Sequence, residues 1–149
     1  MKIAVACDHG GFPLKEMVLE TVRAAGFEPI DLGTDGPESV DYPDYAQKIG
    51  ETINSGTAPK GILICGSGAG ANIAANKIKG IYASVCHDVY SAHQAVEHDD
   101  MNVLCLGARI VGPELAKEIV QAFIKAEYWN AGNYKRRVDK VHAIEAIGK

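Results

Sequence analysis

Long hydrophobic runs are missing from this sequence: apolar stretches such as Ile62 to Cys65 and Val103 to Leu106 fall far short of the roughly 20 residues that cross a bilayer. The opening residues, Met1-Lys2-Ile3-Ala4-Val5-Ala6-Cys7-Asp8, meet an aspartate before a signal-peptide hydrophobic region could develop. A cytoplasmic protein without a membrane partner is expected. Basic blocks are missing too. Fifteen Lys and Arg against nineteen Asp and Glu give a net charge of -4, a poor match for a nucleic-acid backbone. Paired cysteines are the third absence. The four cysteines stand at positions 7, 65, 86 and 105 with no Cys-x-x-Cys, which is neither a disulfide framework nor a zinc pattern. What remains is 149 residues, 47% hydrophobic and 23% charged, enough for one domain spanning 1–149. A chain of this size buries roughly 68–70% of its unfolded surface and needs no disulfide or structural metal to fold.

Apolar, β-rich runs alternate with helical patterns. Ile3 to Ala6, Pro29 to Leu32, Ile62 to Cys65, Ala83 to Cys86 and Val103 to Leu106 read as strands, and their near-continuous hydrophobicity predicts burial on both faces. Pro13 to Ala25 carries Leu14, Met17, Val18 and Val22 at helical spacing, with Pro suited to a first turn and Gly26 to a C-cap. Pro43 to Asn54, closed by Gly56, repeats the scheme. Further helices are predicted from within Gly68 to Asn72, over Val89 to about Glu97, and from Pro113 to about Ala126. Five βα units imply an α/β fold, a three-layer α/β/α Rossmann-like sandwich around a five-stranded parallel sheet, closed by a C-terminal helix. The pattern leaves strand order open. The tail, 130–149, has an apolar stripe of Val138, Val141, Ile144 and Ile147. It either packs on its own domain or docks a second subunit, and the homodimer is the favoured reading.

Ligands of an open parallel sheet bind beyond the carboxyl ends of its strands. Those ends carry Cys7-Asp8-His9-Gly10-Gly11, Cys65-Gly66-Ser67-Gly68-Ala69-Gly70-Ala71-Asn72, Cys86-His87-Asp88 and Gly107-Ala108-Arg109. The second segment is the most informative. Three glycines at alternate positions open a helix and leave N–H groups bare toward an anion. Cys65 immediately precedes them, where the helix dipole and free amides stabilise a thiolate, so it is the first candidate for base or nucleophile. Cys7, Cys86 and Cys105 read as small core residues. His9, beside Asp8 and before two glycines, reads as functional. His87, His93 and His142 read as ordinary.

Known loop signatures are tested by counting. A Cys-x5-Arg phosphatase loop from Cys65 needs Arg where Ala71 stands, and a P-loop from Gly66 needs Gly-Lys where Ala71-Asn72 stand. Gly66-Ser67-Gly68-Ala69-Gly70-Ala71 does meet the relaxed dinucleotide pattern, with Asp88 at the next strand's end. A non-catalytic nucleotide- or flavin-binding module is therefore the alternative reading.

The residues together resemble the type B ribose-5-phosphate isomerases and the related galactose-6-phosphate isomerases, over nearly the whole length. The resemblance rests on Cys7-Asp8-His9-Gly10-Gly11 with Leu14-Lys15, Asp41-Tyr42-Pro43, Gly61-Ile62-Leu63-Ile64-Cys65-Gly66-Ser67-Gly68, Ile73-Ala74-Ala75-Asn76-Lys77, Glu97-His98, Gly107-Ala108-Arg109 and Arg136-Arg137-Val138-Asp139. It implies an aldose–ketose isomerase of a phosphorylated sugar, such as ribose 5-phosphate, using neither metal nor cofactor, and a homodimer whose active sites draw on both chains. Carried over to this chain, Cys65 is the base moving a proton between C1 and C2. Ser67 and the amides of Gly66, Gly68 and Gly70 hold the enediolate oxygens, His98 assists ring opening, and Asp8 binds sugar hydroxyls. His9, Arg109 and Arg137 bind the phosphate.

Three positions depart from the family pattern. Asp99 stands where Asn is usual, and Gly132-Asn133-Tyr134 stands where Gly-Arg-His is usual. All three make the site less positive. A charged phosphate hydrogen bond contributes on the order of 1.5–3 kcal/mol, so Asn133 weakens phosphate binding unless Lys135 or Arg136 compensates. Other pentose, tetrose or hexose phosphates become alternatives to ribose 5-phosphate, and pairing of dimers into a tetramer stays open.

Overall fold

Strands that are apolar on both faces are stable only inside a sheet covered on both sides. The computed structural model, which describes residues 1–148, builds such a sheet. Its elements in chain order are β1 (Lys2–Cys7), α1 (Phe12–Ala24), β2 (Glu28–Asp31), α2 (Tyr42–Asn54), β3 (Lys60–Cys65), α3 (Ala69–Ala75), β4 (Ala83–Val85), α4 (Val89–Asp99), β5 (Val103–Gly107), α5 (Pro113–Lys125) and α6 (Gly132–Gly148). The five strands pair in parallel in the order β2-β1-β3-β5-β4. After β2 the chain crosses over β1 to start β3, so the order reverses between β1 and β3. A crevice opens at that reversal, beyond the strand ends.

The period of two along each strand sorts side chains onto two faces. Ile3, Val5, Ile62, Ile64, Leu104 and Leu106 pack with α1, α4 and α5 around the fully buried Phe123. Ala4, Ala6, Leu63, Cys65, Val103 and Cys105 face α2 and α3, through Ala46, Ile49, Ala71 and Ala75. Proline in the first turn starts α1, α2 and α5, and Gly26 and Gly56 take positive φ just beyond α1 and α2, as C-cap glycines do.

Two expectations need correction. Burial on both faces holds for β1, β3 and β5, whereas β2 and β4 are half-buried because they lie at the sheet's edges. The last helix begins at Gly132, well before the apolar stripe, which puts Asn133, Tyr134 and Arg137 on its first turns. Of that stripe only Val138 is buried. Ile144 is 70% and Ile147 87% exposed, because α6 touches the domain chiefly along α4. No helix among the described residues is long and apolar enough to cross a membrane.

Candidate active site

At the β1/β3 crevice the backbone does most of the building. β1 delivers Asp8, which is buried and whose Oδ1 accepts the Gly11 N–H at 3.0 Å, closing a tight turn into α1. A methyl group on Gly11 would lie 2.1 Å from the Ile64 carbonyl oxygen, so the two turns can meet only through glycine. β3 delivers Cys65, and Gly68, left-handed at φ +85°, bends the chain until its N–H donates to Cys65 Sγ at 3.0 Å. β5 is laced to the same loop: Ala108 N–H donates to the Cys65 carbonyl at 2.8 Å and Arg109 N–H to the Gly66 carbonyl at 3.0 Å.

The result is an open cleft of about 380 Å³ lined by Asp8, Tyr42, Cys65, Gly66, Ser67, Gly70, Arg109 and Ile110. Ser67 is exposed, and its Oγ accepts the Ala69 N–H at 3.2 Å. His9 is not among the side chains lining the cleft; its Nδ1 accepts the Val40 N–H at 3.2 Å, which orients the ring and leaves Nε2 as the N–H. Arg109 has no carboxylate within ion-pair distance among the described residues. A guanidinium without a partner above bare amides suits an anion.

All four thiols are buried, and Cys7, Cys86 and Cys105 do not line the cleft. Burial pushes the Cys7 thiol up to about 11 and raises those of Cys86 and Cys105 as well, which keeps them protonated in the core. Cys65 is the one that lines the cleft with an N–H on its sulfur. His87, read as ordinary, is a fastening: its Nε2 accepts the Gly107 N–H at 2.9 Å, and burial lowers its pKa. Asp88 is not placed for a ribose. Its carboxylate caps α4, accepting the Ser91 N–H at 2.6 Å, which removes the acidic partner that the dinucleotide pattern needs.

His98, Asp99, Asn133 and Arg137 do not join this cleft. α4 starts at the carboxyl end of β4 and runs back across the sheet, so His98 on its last turn lies beside the amino end of β5, with α6 alongside. There it is held in an aromatic cluster. Its ring centroid is 4.5 Å from that of Tyr134, stacked, and 4.7 Å from that of Trp129, while Nδ1 lies 2.7 Å from Gln94 Nε2. Asp99, Asn133 and Arg137 are exposed nearby, and Lys135 is paired with Asp139 at 2.7 Å. The residues singled out from the sequence therefore fall into two groups, on opposite ends of the sheet.

Sequence reading missed Tyr42, whose ring lies 2.9 Å from where a Gly70 Cβ would stand, and Gln94 and Trp129 around His98. Tyr42 sits in the Asp41-Tyr42-Pro43 signature, so a signal was there to follow. A larger cleft, about 530 Å³, lies at the amino end between Met1, Phe27, Lys60 and Tyr128. Burial lowers the Lys60 pKa to about 8, but its Nζ is engaged, donating to the Phe123 and Ala126 carbonyls at 2.9 and 2.7 Å. It caps the end of α5. Among the described residues no three His, Cys, Asp or Glu side chains group as metal ligands.

Residues 3–141 match the family model described as Ribose/Galactose Isomerase. The ribose-5-phosphate isomerase B of Escherichia coli is 47% identical over 144 residues, covering 97% of this chain and 96% of that protein. The D-erythrulose-4-phosphate isomerase of Pectobacterium atrosepticum is 39% identical over 146 residues, covering 97% and 95%. Among solved structures, ribose-5-phosphate isomerase B of Clostridium thermocellum superposes with a TM-score of 0.95 at 46% identity, over 100% of both chains.

Proposed function

From the premise that this chain belongs to the ribose/galactose isomerase family, we propose that it interconverts an aldose phosphate and its ketose with Cys65 as the base, in sites shared between two copies of the chain. At the coarser level it is a sugar-phosphate aldose–ketose isomerase, an intramolecular oxidoreductase.

The observation that carries the finer reading is the Gly68 N–H on Cys65 Sγ at the mouth of the cleft. That contact fixes the sulfur where Cys65 lines the cleft, and a cysteine sulfur held beside the carbon next to a carbonyl can act as the base. In an aldose–ketose isomerisation the base takes the proton from C2, negative charge spreads over the two oxygens of an enediolate, and the proton returns at C1 while a hydroxyl proton moves from O2 to O1. The oxygens need donors aimed at them. Ser67 and the amides of Gly66 and Gly70 lie beside the sulfur, with the Gly68 N–H taken by Sγ itself, and removing one such donor typically costs ~10²–10³ in rate. Asp8 takes sugar hydroxyls, and Arg109 and His9 take the phosphate.

The second copy supplies what the cleft lacks. If two chains pack so that each presents its α4–α6 end to the other's crevice, His98 reaches the sugar ring, with Asp99, Asn133 and Arg137 beside the phosphate. Exposed apolar side chains are available for such a contact: Ile110 at the cleft is 61% exposed and Trp129 beside His98 is 49% exposed. The 130–149 tail is then a docking segment, its stripe of Val141 and Ile144 covered by the partner.

The test is a panel of tetrose, pentose and hexose phosphates incubated with the protein in deuterated water. Ketose formation with deuterium at the exchanged carbon is expected, and lost on Cys65→Ser. Turnover retained by Cys65→Ser would remove Cys65 from the role of base, and no turnover of any aldose phosphate would overturn the reading.

A further inference from the structure

The geometry points to Gln94 as a positioning residue that fixes the tautomer of His98, so that the imidazole offers an N–H from Nε2 rather than a lone pair to the sugar. This rests on the reading of His98 as the group that assists ring opening.

The His98 ring has few free edges. Tyr134 stacks on it at 4.5 Å with 30° between planes, and Trp129 leans on it at 4.7 Å and 58°. The Trp129 segment is itself fastened to α4, its N–H donating to the Glu97 carbonyl at 3.0 Å. One ring nitrogen, Nδ1, is taken by Gln94, one turn earlier on the same helix, at 2.7 Å. The contacting atom of Gln94 is its amide nitrogen, which has protons to donate and no lone pair to accept with. Nδ1 must then accept, and the single proton of the neutral ring sits on Nε2.

The same helix holds a control built at the same spacing. His93 Nδ1 lies 2.9 Å from the carboxylate of Glu97, its neighbour at i+4. A carboxylate accepts only, so it draws the ring proton to Nδ1. Glutamine at position 94 does the reverse for His98. Two histidines on one helix are thus set in opposite states by an acid and by an amide.

The consequence for chemistry is specific to cyclic sugars. When a furanose phosphate opens, the bond between C1 and the ring oxygen breaks with its electron pair left on the ring oxygen, which takes a proton, while the anomeric hydroxyl gives one up to water. An N–H pointed at the ring oxygen stabilises the charge gathering there. A tetrose 4-phosphate, whose terminal oxygen is blocked by phosphate, cannot close a five- or six-membered ring and has no such step.

The experiment uses the full chain labelled with nitrogen-15 at pH 8, well above the ordinary imidazole value near 6.5. The His98 resonances, identified by their loss in His98→Asn, should show the proton on Nε2 and a bare Nδ1. A proton on Nδ1 overturns the inference. In parallel, Gln94→Glu should lower kcat on ribose 5-phosphate roughly tenfold with KM changed less than about twofold, and leave erythrose 4-phosphate turnover within about twofold of wild type. Gln94→Met, which removes the bond without reversing it, should lose less. Equal losses on both sugars, or none on either, would sink the idea. Should the wild-type protein turn over no aldose phosphate, the isomerase reading fails while the tautomer measurement still stands.

Discussion

The two ends of the sheet are built from different materials. At the carboxyl end the cleft is made of backbone: the Gly11 turn against Ile64, the Gly68 bend onto Cys65, and the β5 amides on the Cys65 and Gly66 carbonyls. At the amino end the His98 cluster is made of side chains, with His98 and Gln94 of α4 meeting Tyr134 of α6 and Trp129 just before it. A backbone wall has no spare volume, since a Cβ at Gly11 or at Gly107 would come within 2.1 or 2.6 Å of main-chain atoms. A side-chain wall can be exchanged one residue at a time. All three departures from the family pattern, Asp99, Asn133 and Tyr134, fall in the side-chain half. On the proposed roles, proton transfer and part of the sugar and phosphate contact are tied to the rigid end, and the contacts that Asp99, Asn133 and Tyr134 would make are free to drift at the other.

The strongest way to break this comparison is to separate the halves. Cys65→Ala and His98→Ala should each lose roughly 10²-fold or more of the activity on ribose 5-phosphate. After the two inactive proteins are unfolded together and refolded, half of the dimers carry one intact site of two, so about a quarter of wild-type activity should return. A mixture that stays inactive would mean that His98 serves its own chain. Next in size, Gly11→Ala should cost ~1–3 kcal/mol in urea unfolding because the turn has no room to give, against less than about 0.5 kcal/mol for the exposed Asn133→Arg. Equal costs would erase the distinction between walls. The smallest effect sharpens it: Asn133→Arg should lower the KM of ribose 5-phosphate about tenfold by restoring a charged phosphate donor, with kcat unchanged. A KM that does not move would place the phosphate elsewhere.

The carboxyl-end cleft was legible because its parts are local. Asp8 to Gly11 and Cys65 to Gly70 are continuous stretches at strand ends, and the strand-end rule brings them together without knowledge of strand order. The five βα units were legible for the same reason, with proline and glycine marking the helix ends. The cluster around His98 was not. Nothing in the sequence marks out Gln94 on α4, and Trp129 and Tyr134 lie more than thirty residues further along, so only the packing of α6 on α4 reveals them as neighbours. Asp99 sits in an acidic run that reads as a solvated helix end. The half-buried state of β2 and β4 was hidden as well, because composition does not say which strand lies at an edge.

The span of α4 acts as a ruler. It is fixed at its start by the Asp88 cap and by His87 on Gly107, and stopped eleven residues later, where Asp100 turns left-handed at φ +56°. Each residue of a helix advances about 1.5 Å and turns about 100°. Adding or deleting a single residue between these two stops would swing the imidazole off the side it shares with Tyr134, while leaving the Cys65 crevice untouched.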